Sequence, residues 1–419
     1  MLLLGLLSSL PLATRGKFST PLSRGLARST PKLIVSARPA RLDRHAVPNA
    51  AANYHQEPDH MDHSAVRVQE LNPAKLAMLF LKQFGMSKVA KGETVMLVSD
   101  LQTRREFIAA AFAACDELGA DAYEMCVNSV PSWTKVGVPT IGQCKGTLEA
   151  AKAADLIVVF HVPLFTRWLK DVMDEGVRVL MIIDAPDDLE QLMSPPGLKE
   201  AVLYGDGLYK KTREVRVTSE AGTDLTYSCG EYPVMSQWGI ADEPGHFDHW
   251  GGGHIHTFPN EGSANGTVVF QPGDIVILPY CRYVQDPVRL EIKDGFIVSV
   301  EGGLDAKLMT DWLDDNKESP DDQDPYAISH LGWGLNPQAL WHGLGLNGDE
   351  PERSRAAART FPGNFLFSTG PNTQGGGKRN TRGHYDVPMR DCTMMLDNQV
   401  IIEKGRIVDP RMVVERVSR

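Results

Sequence analysis

The sequence predicts an open, largely parallel α/β sheet domain followed by a β-rich α+β domain that carries the chemistry. Three observations predict it. Over residues 93–183, short apolar runs alternate with helical segments, which is the pattern of parallel strands joined by helical crossovers. From about Leu203 the runs shorten and become β-rich, and turn residues separate them. Every cluster of metal-ligating or acid–base residues except His161 falls in this second half. The expected division is a leader or unstructured extension over 1–62, an α/β domain over 63–202, and a metal-binding catalytic domain over 203–419.

The elements follow in order. Leu71 to Gly85 has apolar residues at helical spacing. The run from Glu93 to Asp100 reads as a buried strand whose Ser-Asp end leads into a helix cap. Arg104 to Leu118 is an Ala-rich helix with Gly119 as its C-cap. Strands are expected over Asp121 to Val130, Asp155 to Phe160 and Val177 to Ile183, and helices over Thr147 to Ala154 and Phe165 to Glu175. In the second half, strands are expected at Val215–Ser219, Asp224–Tyr227, Gly266–Phe270, Asp274–Leu278 and Val288–Ile292. Asp294-Gly295 is a hairpin turn into Phe296–Val300. Lys307 to Lys317 reads as a helix, and Met394–Asn398 with Gln399–Ile402 as another hairpin.

Composition narrows the function classes. A net charge of −10 argues against a nucleic-acid binder held by phosphate contacts. No apolar run approaches the ~20 residues that span a bilayer. Six scattered cysteines form no CxxC pair, so neither a zinc knuckle nor a disulfide framework is expected, and a reducing compartment is the simplest setting. Met1 to Leu42 has no Asp or Glu but seven Lys or Arg among Ser, Leu and Pro. Three readings stand: an upstream extension with Met61 as the true start, a mitochondrial transit peptide, or an export signal. The location expected is cytoplasmic, or mitochondrial if the leader is a transit peptide.

The chemistry centres on Arg382-Gly-His384-Tyr-Asp386. On an extended segment, a His and an Asp two apart point to one side. Together they are two thirds of the 2-His-1-carboxylate set that leaves positions open on a non-haem Fe(II). His330, in Ile328-Ser-His-Leu-Gly-Trp-Gly334, offers the missing nitrogen, and Gly332 and Gly334 let the backbone pass close to a ligand. Four of the twelve histidines, His246, His249, His254 and His256, crowd one segment, so a zinc site is a rival. Asp248-His249-Trp250 is also suited to orienting an aromatic substrate, Trp250 by stacking and His249 by a hydrogen bond. The Gly-, Asn- and Ser/Thr-rich stretch from Gly363 to Arg379, with Ser368 and Thr369, either forms a surface loop or lines a pocket; it is no Walker motif, since its Gly-Lys lacks a following Ser or Thr. His161, directly after a buried strand, is a candidate general base.

The stretches Ala241-Asp-Glu-Pro-Gly245, Asp248-His-Trp250, Phe258-Pro-Asn-Glu261, Ile328–Gly334, Gly363–Thr373, Gly376–Arg379 and His384-Tyr-Asp-Val-Pro388 closely resemble the 2,5-dihydroxypyridine 5,6-dioxygenase family. More distantly the chain resembles aminopeptidase T-like metallopeptidases. The first resemblance implies one Fe(II) on His330, His384 and Asp386, with O2 as co-substrate. It implies opening of 2,5-dihydroxypyridine to N-formylmaleamate in nicotinate or nicotine breakdown, with His161 as acid/base. His249, Trp250, Glu261, Ser368 and Thr369 are the expected substrate-binding residues, and a homo-oligomer is the expected assembly. The second resemblance implies a metallo-aminopeptidase as the alternative. The sequence departs from the dioxygenase pattern at Gly251-Gly-Gly-His-Ile-His256, where the family is more apolar and aromatic, and in its long leader.

Overall fold

The computed structural model describes residues 72–128, 136–346 and 355–417. The leader expected over 1–62 lies outside the described residues. Val68–Arg419 form one compact unit.

Three sheets organise the chain. The first has five parallel strands in the order Asp121–Val127, Thr94–Asp100, Leu156–Val159, Arg178–Met181 and Phe247–His249. Its central strands carry the buried apolar runs Val95–Val98, Leu156–Val159 and Val179–Met181, as a sheet covered on both faces requires. Helices Pro73–Met86 and Arg105–Leu118 pack on it. The first is capped by the Asn72 side chain, and the second ends on Gly119 in the left-handed conformation. Ser99-Asp100 does not cap the second helix. The Asp100 carboxylate accepts from the Gln102 amide at 2.9 Å and the Thr103 hydroxyl at 3.0 Å, which makes a turn, and the cap position falls to Arg104.

The second sheet has eight strands, Phe296–Gly302, Val288–Lys293, Asn265–Phe270, Asp224–Ser228, Glu214–Ser219, Cys392–Leu396, Gln399–Glu403 and Arg406–Ile407, antiparallel throughout. The expected hairpin at Asp294-Gly295 forms one edge, and the second expected hairpin lies beside the other, with Arg406–Ile407 outside it. The expected strand Asp274–Leu278 is shorter, Ile275–Val276, paired with Arg282–Tyr283.

The third sheet positions the site. It runs Tyr385–Met389, Phe365–Thr369, Leu331–Gly334, His254–Thr257 and Met235–Gln237, each pair antiparallel. Side-chain alternation divides it into two unlike faces. Ile255, Leu331, Trp333, Phe365, Phe367, Tyr385, Val387 and Met389 point into the main apolar core. The opposite face carries His254, His256, Ser368 and Asp386, because His256 pairs with Gly332, His254 with Gly334 and Ser368 with Asp386. Pro388, which has no amide hydrogen to donate, sits on the terminal strand of this sheet, where such a residue is tolerated.

Gly332 and Gly334 keep the polar face low. A Cβ at Gly332 would lie 2.0 Å from the Ile255 carbonyl oxygen and 2.8 Å from the His256 Cα. Both are backbone atoms that cannot swing aside. Gly332→Ala is therefore expected to destabilise the protein by about 1–3 kcal/mol or more, read as a lower melting temperature and urea midpoint. An unchanged midpoint would show that the strand relaxes freely.

Candidate metal centre

Three side chains converge. Asp386 lies on Tyr385–Met389 and His384 immediately precedes that strand. His330 leads into Leu331–Gly334, with Phe365–Thr369 between. His384 Nε2 is 3.1 Å from Asp386 Oδ1, His330 Nε2 is 3.5 Å from the same oxygen, and the two Nε2 atoms are 3.3 Å apart. Ligands at right angles and about 2.1 Å from an ion stand about 3 Å apart. The triangle therefore has the dimensions of one face of a coordination shell.

The donors suit a cation. His384 Nδ1 donates to the Thr369 carbonyl at 2.7 Å. With its proton there, the Nε2 lone pair faces the ion position. Burial holds the His330 imidazole well below its ordinary pKa, with the Asp386 carboxylate opposing, so His330 is neutral and able to ligate at neutral pH. Burial acts to raise the Asp386 carboxyl, but His384, His330 and Arg359 outweigh it and hold the group below the usual carboxylate range. Asp386 Oδ1 is completely buried and has no hydrogen bond. An orphaned carboxylate oxygen beside two imidazole nitrogens is what an ion satisfies. Among the described residues this is the one group of three or more His, Cys, Asp or Glu side chains that closes on a point.

The rival histidine cluster is dispersed. His246 stacks on Trp238 at 3.9 Å between ring centres and meets the Asp248 carboxylate at 2.9 Å. That carboxylate also accepts the amides of Trp238, Gly239 and His249, so Asp248 knots the chain together. His254 and His256 touch through their Nδ1 atoms at 3.2 Å, and the His256 ring lies 4.9 Å from that of His330.

The other expected site residues take varied places. His249 is buried, with Nε2 lacking a hydrogen bond, and lines a small cavity with Arg359, Val162, Leu164 and Ile277. Burial lowers its imidazole to about 4. Trp250 is a correction: no open stacking face exists, because its indole is 1% exposed, packs edge-on to Phe80 and donates to the Leu189 carbonyl at 2.8 Å. Glu261 lies nearer the surface, where its carboxylate accepts from Tyr232, Asn372 and Arg379. Ser368 donates to the His330 carbonyl at 2.6 Å, tying the two ligand-bearing regions together. Thr369 supplies the carbonyl that orients His384, and its own hydroxyl is buried without a hydrogen bond. His161 is buried at the end of Leu156–Val159, with Nε2 3.1 Å from the Thr140 hydroxyl and Nδ1 without a hydrogen bond.

Two residues at the site had no sequence signal. Phe165 was expected to open a helix, but has φ +61°, an outlier conformation for a bulky residue. That turn brings its ring edge-on to His384 at 5.0 Å and stacks it near His330 at 6.4 Å. Arg359, within Arg355–Thr360, donates to Asp386 Oδ2 at 2.6 Å. In sequence it is one cation in an Ala-rich helix.

Comparison with known proteins gives the family. The family model described as NicX, 2,5-dihydroxypyridine 5,6-dioxygenase, matches residues 75–409. The chain is 35% identical over 345 residues to 2,5-dihydroxypyridine 5,6-dioxygenase of Pseudomonas putida KT2440, covering 80% of this chain and 97% of that one. The solved structure of 2,5-dihydroxypyridine dioxygenase from that organism matches with a TM-score of 0.76 and 33% identity, over 82% of this chain and 99% of the other. AmpT from Thermus thermophilus shares the fold alone, at a TM-score of 0.56 and 11% identity, over 80% of this chain and 99% of its own. With the match spanning both the parallel sheet and the sheet that bears His330, His384 and Asp386, the chain belongs to the 2,5-dihydroxypyridine 5,6-dioxygenase family.

Proposed function

We propose that this protein is an Fe(II)-dependent dioxygenase that opens 2,5-dihydroxypyridine, or a close hydroxypyridine, with O2 to N-formylmaleamate. The convergence of His330, His384 and Asp386 carries the reading. Two imidazoles and one carboxylate suit Fe(II) and leave positions for substrate and oxygen. Iron, when bound, supplies the one-electron chemistry that lets ground-state O2 react with a closed-shell ring.

The chain supplies the rest. Thr369 fixes the His384 tautomer, and Ser368 holds the His330 backbone. Phe165 covers both imidazoles with an apolar ring, which keeps water from their outer side. His161, neutral at working pH, accepts the proton of a ring hydroxyl, and His249 hydrogen-bonds the substrate through its unpartnered Nε2. A role in nicotinate breakdown, a cytoplasmic location and homo-oligomeric assembly belong to the same proposal. None of the six cysteines forms a disulfide, which suits a reducing compartment.

The peptidase alternative rests on the fold shared with AmpT. A two-metal peptidase needs several acidic ligands. Glu261, an acidic residue that such a site could draw on, is occupied by Tyr232, Asn372 and Arg379.

Protein purified without oxygen is expected to take up about one Fe(II) per chain, as one facial triad requires. It should then consume O2 with 2,5-dihydroxypyridine as the pyridine absorbance disappears. Two tightly held zinc ions and peptide hydrolysis would overturn the assignment. Oxygen uptake across a panel of hydroxypyridines and hydroquinone-like rings reads the substituent preference.

A further inference from the structure

The two oxygens of Asp386 have different partners. Oδ1 faces the two imidazole nitrogens and has no hydrogen bond, whereas Oδ2 accepts from Arg359 Nη2 at 2.6 Å. The Asp386 main chain is also fixed: its amide donates to the Leu278 carbonyl at 3.1 Å, and its carbonyl accepts from the Ile277 amide at 2.9 Å. The carboxylate can therefore turn only about its own side-chain bonds, and Arg359 decides which oxygen faces the ion position.

Arg359 is itself held in place. The Asn364 side-chain amide donates to the Ala358 and Arg359 carbonyls at 2.7 and 2.9 Å, while its oxygen accepts from the Gly334 amide at 2.7 Å. Gly334 ends the strand that follows His330. The guanidinium is thus referenced to the same strand as one ligand and reaches across to another.

We propose that Arg359 is a positioning residue that keeps Asp386 a one-oxygen ligand. A carboxylate with both oxygens on the ion would occupy an extra coordination position. By holding Oδ2, Arg359 leaves that position to exogenous ligands, and its charge also draws electron density from the carboxylate. This deepens the iron-dioxygenase reading and rests on it.

The proposal predicts an unusual pattern for Arg359→Met. The freed Oδ2 is buried, and the ion is the nearest partner for it. The variant should retain Co(II) and Fe(II) with affinity within about threefold of the wild type. Its ferrous form should bind nitric oxide at least tenfold more weakly, followed by the electron paramagnetic resonance of the nitrosyl, and turnover should fall about 10–100-fold. Arg359→Lys, which keeps the charge and one donor, should recover part of the nitric oxide affinity. Unchanged nitric oxide affinity in Arg359→Met overturns the proposal. Loss of the ion itself from both variants also overturns it, since that marks Arg359 as general support. If Arg359→Met does not fold by circular dichroism, Arg359→Gln replaces it with the same expectations. A wild-type protein that holds no Co(II) or Fe(II) would instead remove the iron reading beneath.

Discussion

Asp386→Ala is expected to abolish both iron binding and oxygen uptake, and His330→Ala to do the same. Asp386 is the anionic member of the ligand set, at 0% exposure, between two imidazoles and the Arg359 guanidinium. Its removal leaves Arg359 without that carboxylate, and breaking a buried pair from one side costs about 3–5 kcal/mol. The alanine variant should therefore also melt earlier. Asp386→Asn separates the two effects, because it keeps the shape and an acceptor for Arg359 while removing the charge. It should fold near normally, bind little iron and turn over negligibly. Iron analysis with oxygen-electrode rates checks this, and one iron per chain with normal turnover in either Asp386 variant would remove the residue from the ligand set.

His161→Ala should give the opposite combination: iron retained, turnover lost by about 10²–10⁴-fold. His161 is outside the triad and hydrogen-bonds Thr140, so its loss spares the ligands. Burial lowers its imidazole to about 4, with Asp100 opposing, so at neutral pH it is an unprotonated base. The acid limb of kcat/KM should then fall near pH 4 rather than near 6.5. The stability linkage has the same sign. With the folded pKa below the unfolded value, the unfolded chain binds more protons, so stability is full above about pH 6.5 and declines as pH falls toward 4. His161→Asn, which retains a polar contact for Thr140, should match the alanine variant in rate. Full activity in both would end the acid–base assignment.

Much of the fold is written locally. Val95 to Val98 and Leu156 to Val159 are continuous buried apolar runs, and such runs announce parallel strands. The alternation of Val215, Val217, Leu225 and Tyr227 announces antiparallel ones. The short strands of the site sheet carry no such signal. Leu331–Gly334 is half glycine, and Met235–Gln237 is three residues long. Phe247–His249 joins the parallel sheet from far along the chain, a pairing fixed by tertiary contacts. Helix Leu198–Tyr209 runs through the expected change of pattern near Leu203 with two glycines in it, which weaken its helical signature. At the site, His384 and Asp386 are legible because two-residue spacing is a local rule. His330 could be matched to them by residue type and by resemblance but by no local rule, since 54 residues separate it from His384. Arg359 and Phe165 were invisible because their roles depend on where a helix and a left-handed turn come to rest.

The strand between the ligand-bearing segments sets a size limit. Neighbouring strands are about 4.8 Å apart, so His330 and Asp386 must reach toward each other across Phe365–Thr369. Ser368 sits opposite Asp386 on that strand, completely buried, with its hydroxyl turned back onto the His330 carbonyl. Its chief contribution is therefore its smallness. A leucine or glutamine at 368 would project from the floor into the volume where the three donor atoms meet and would compete with the ion for that space. Room for an ion at this centre is thus set by a residue that need not touch the ion at all.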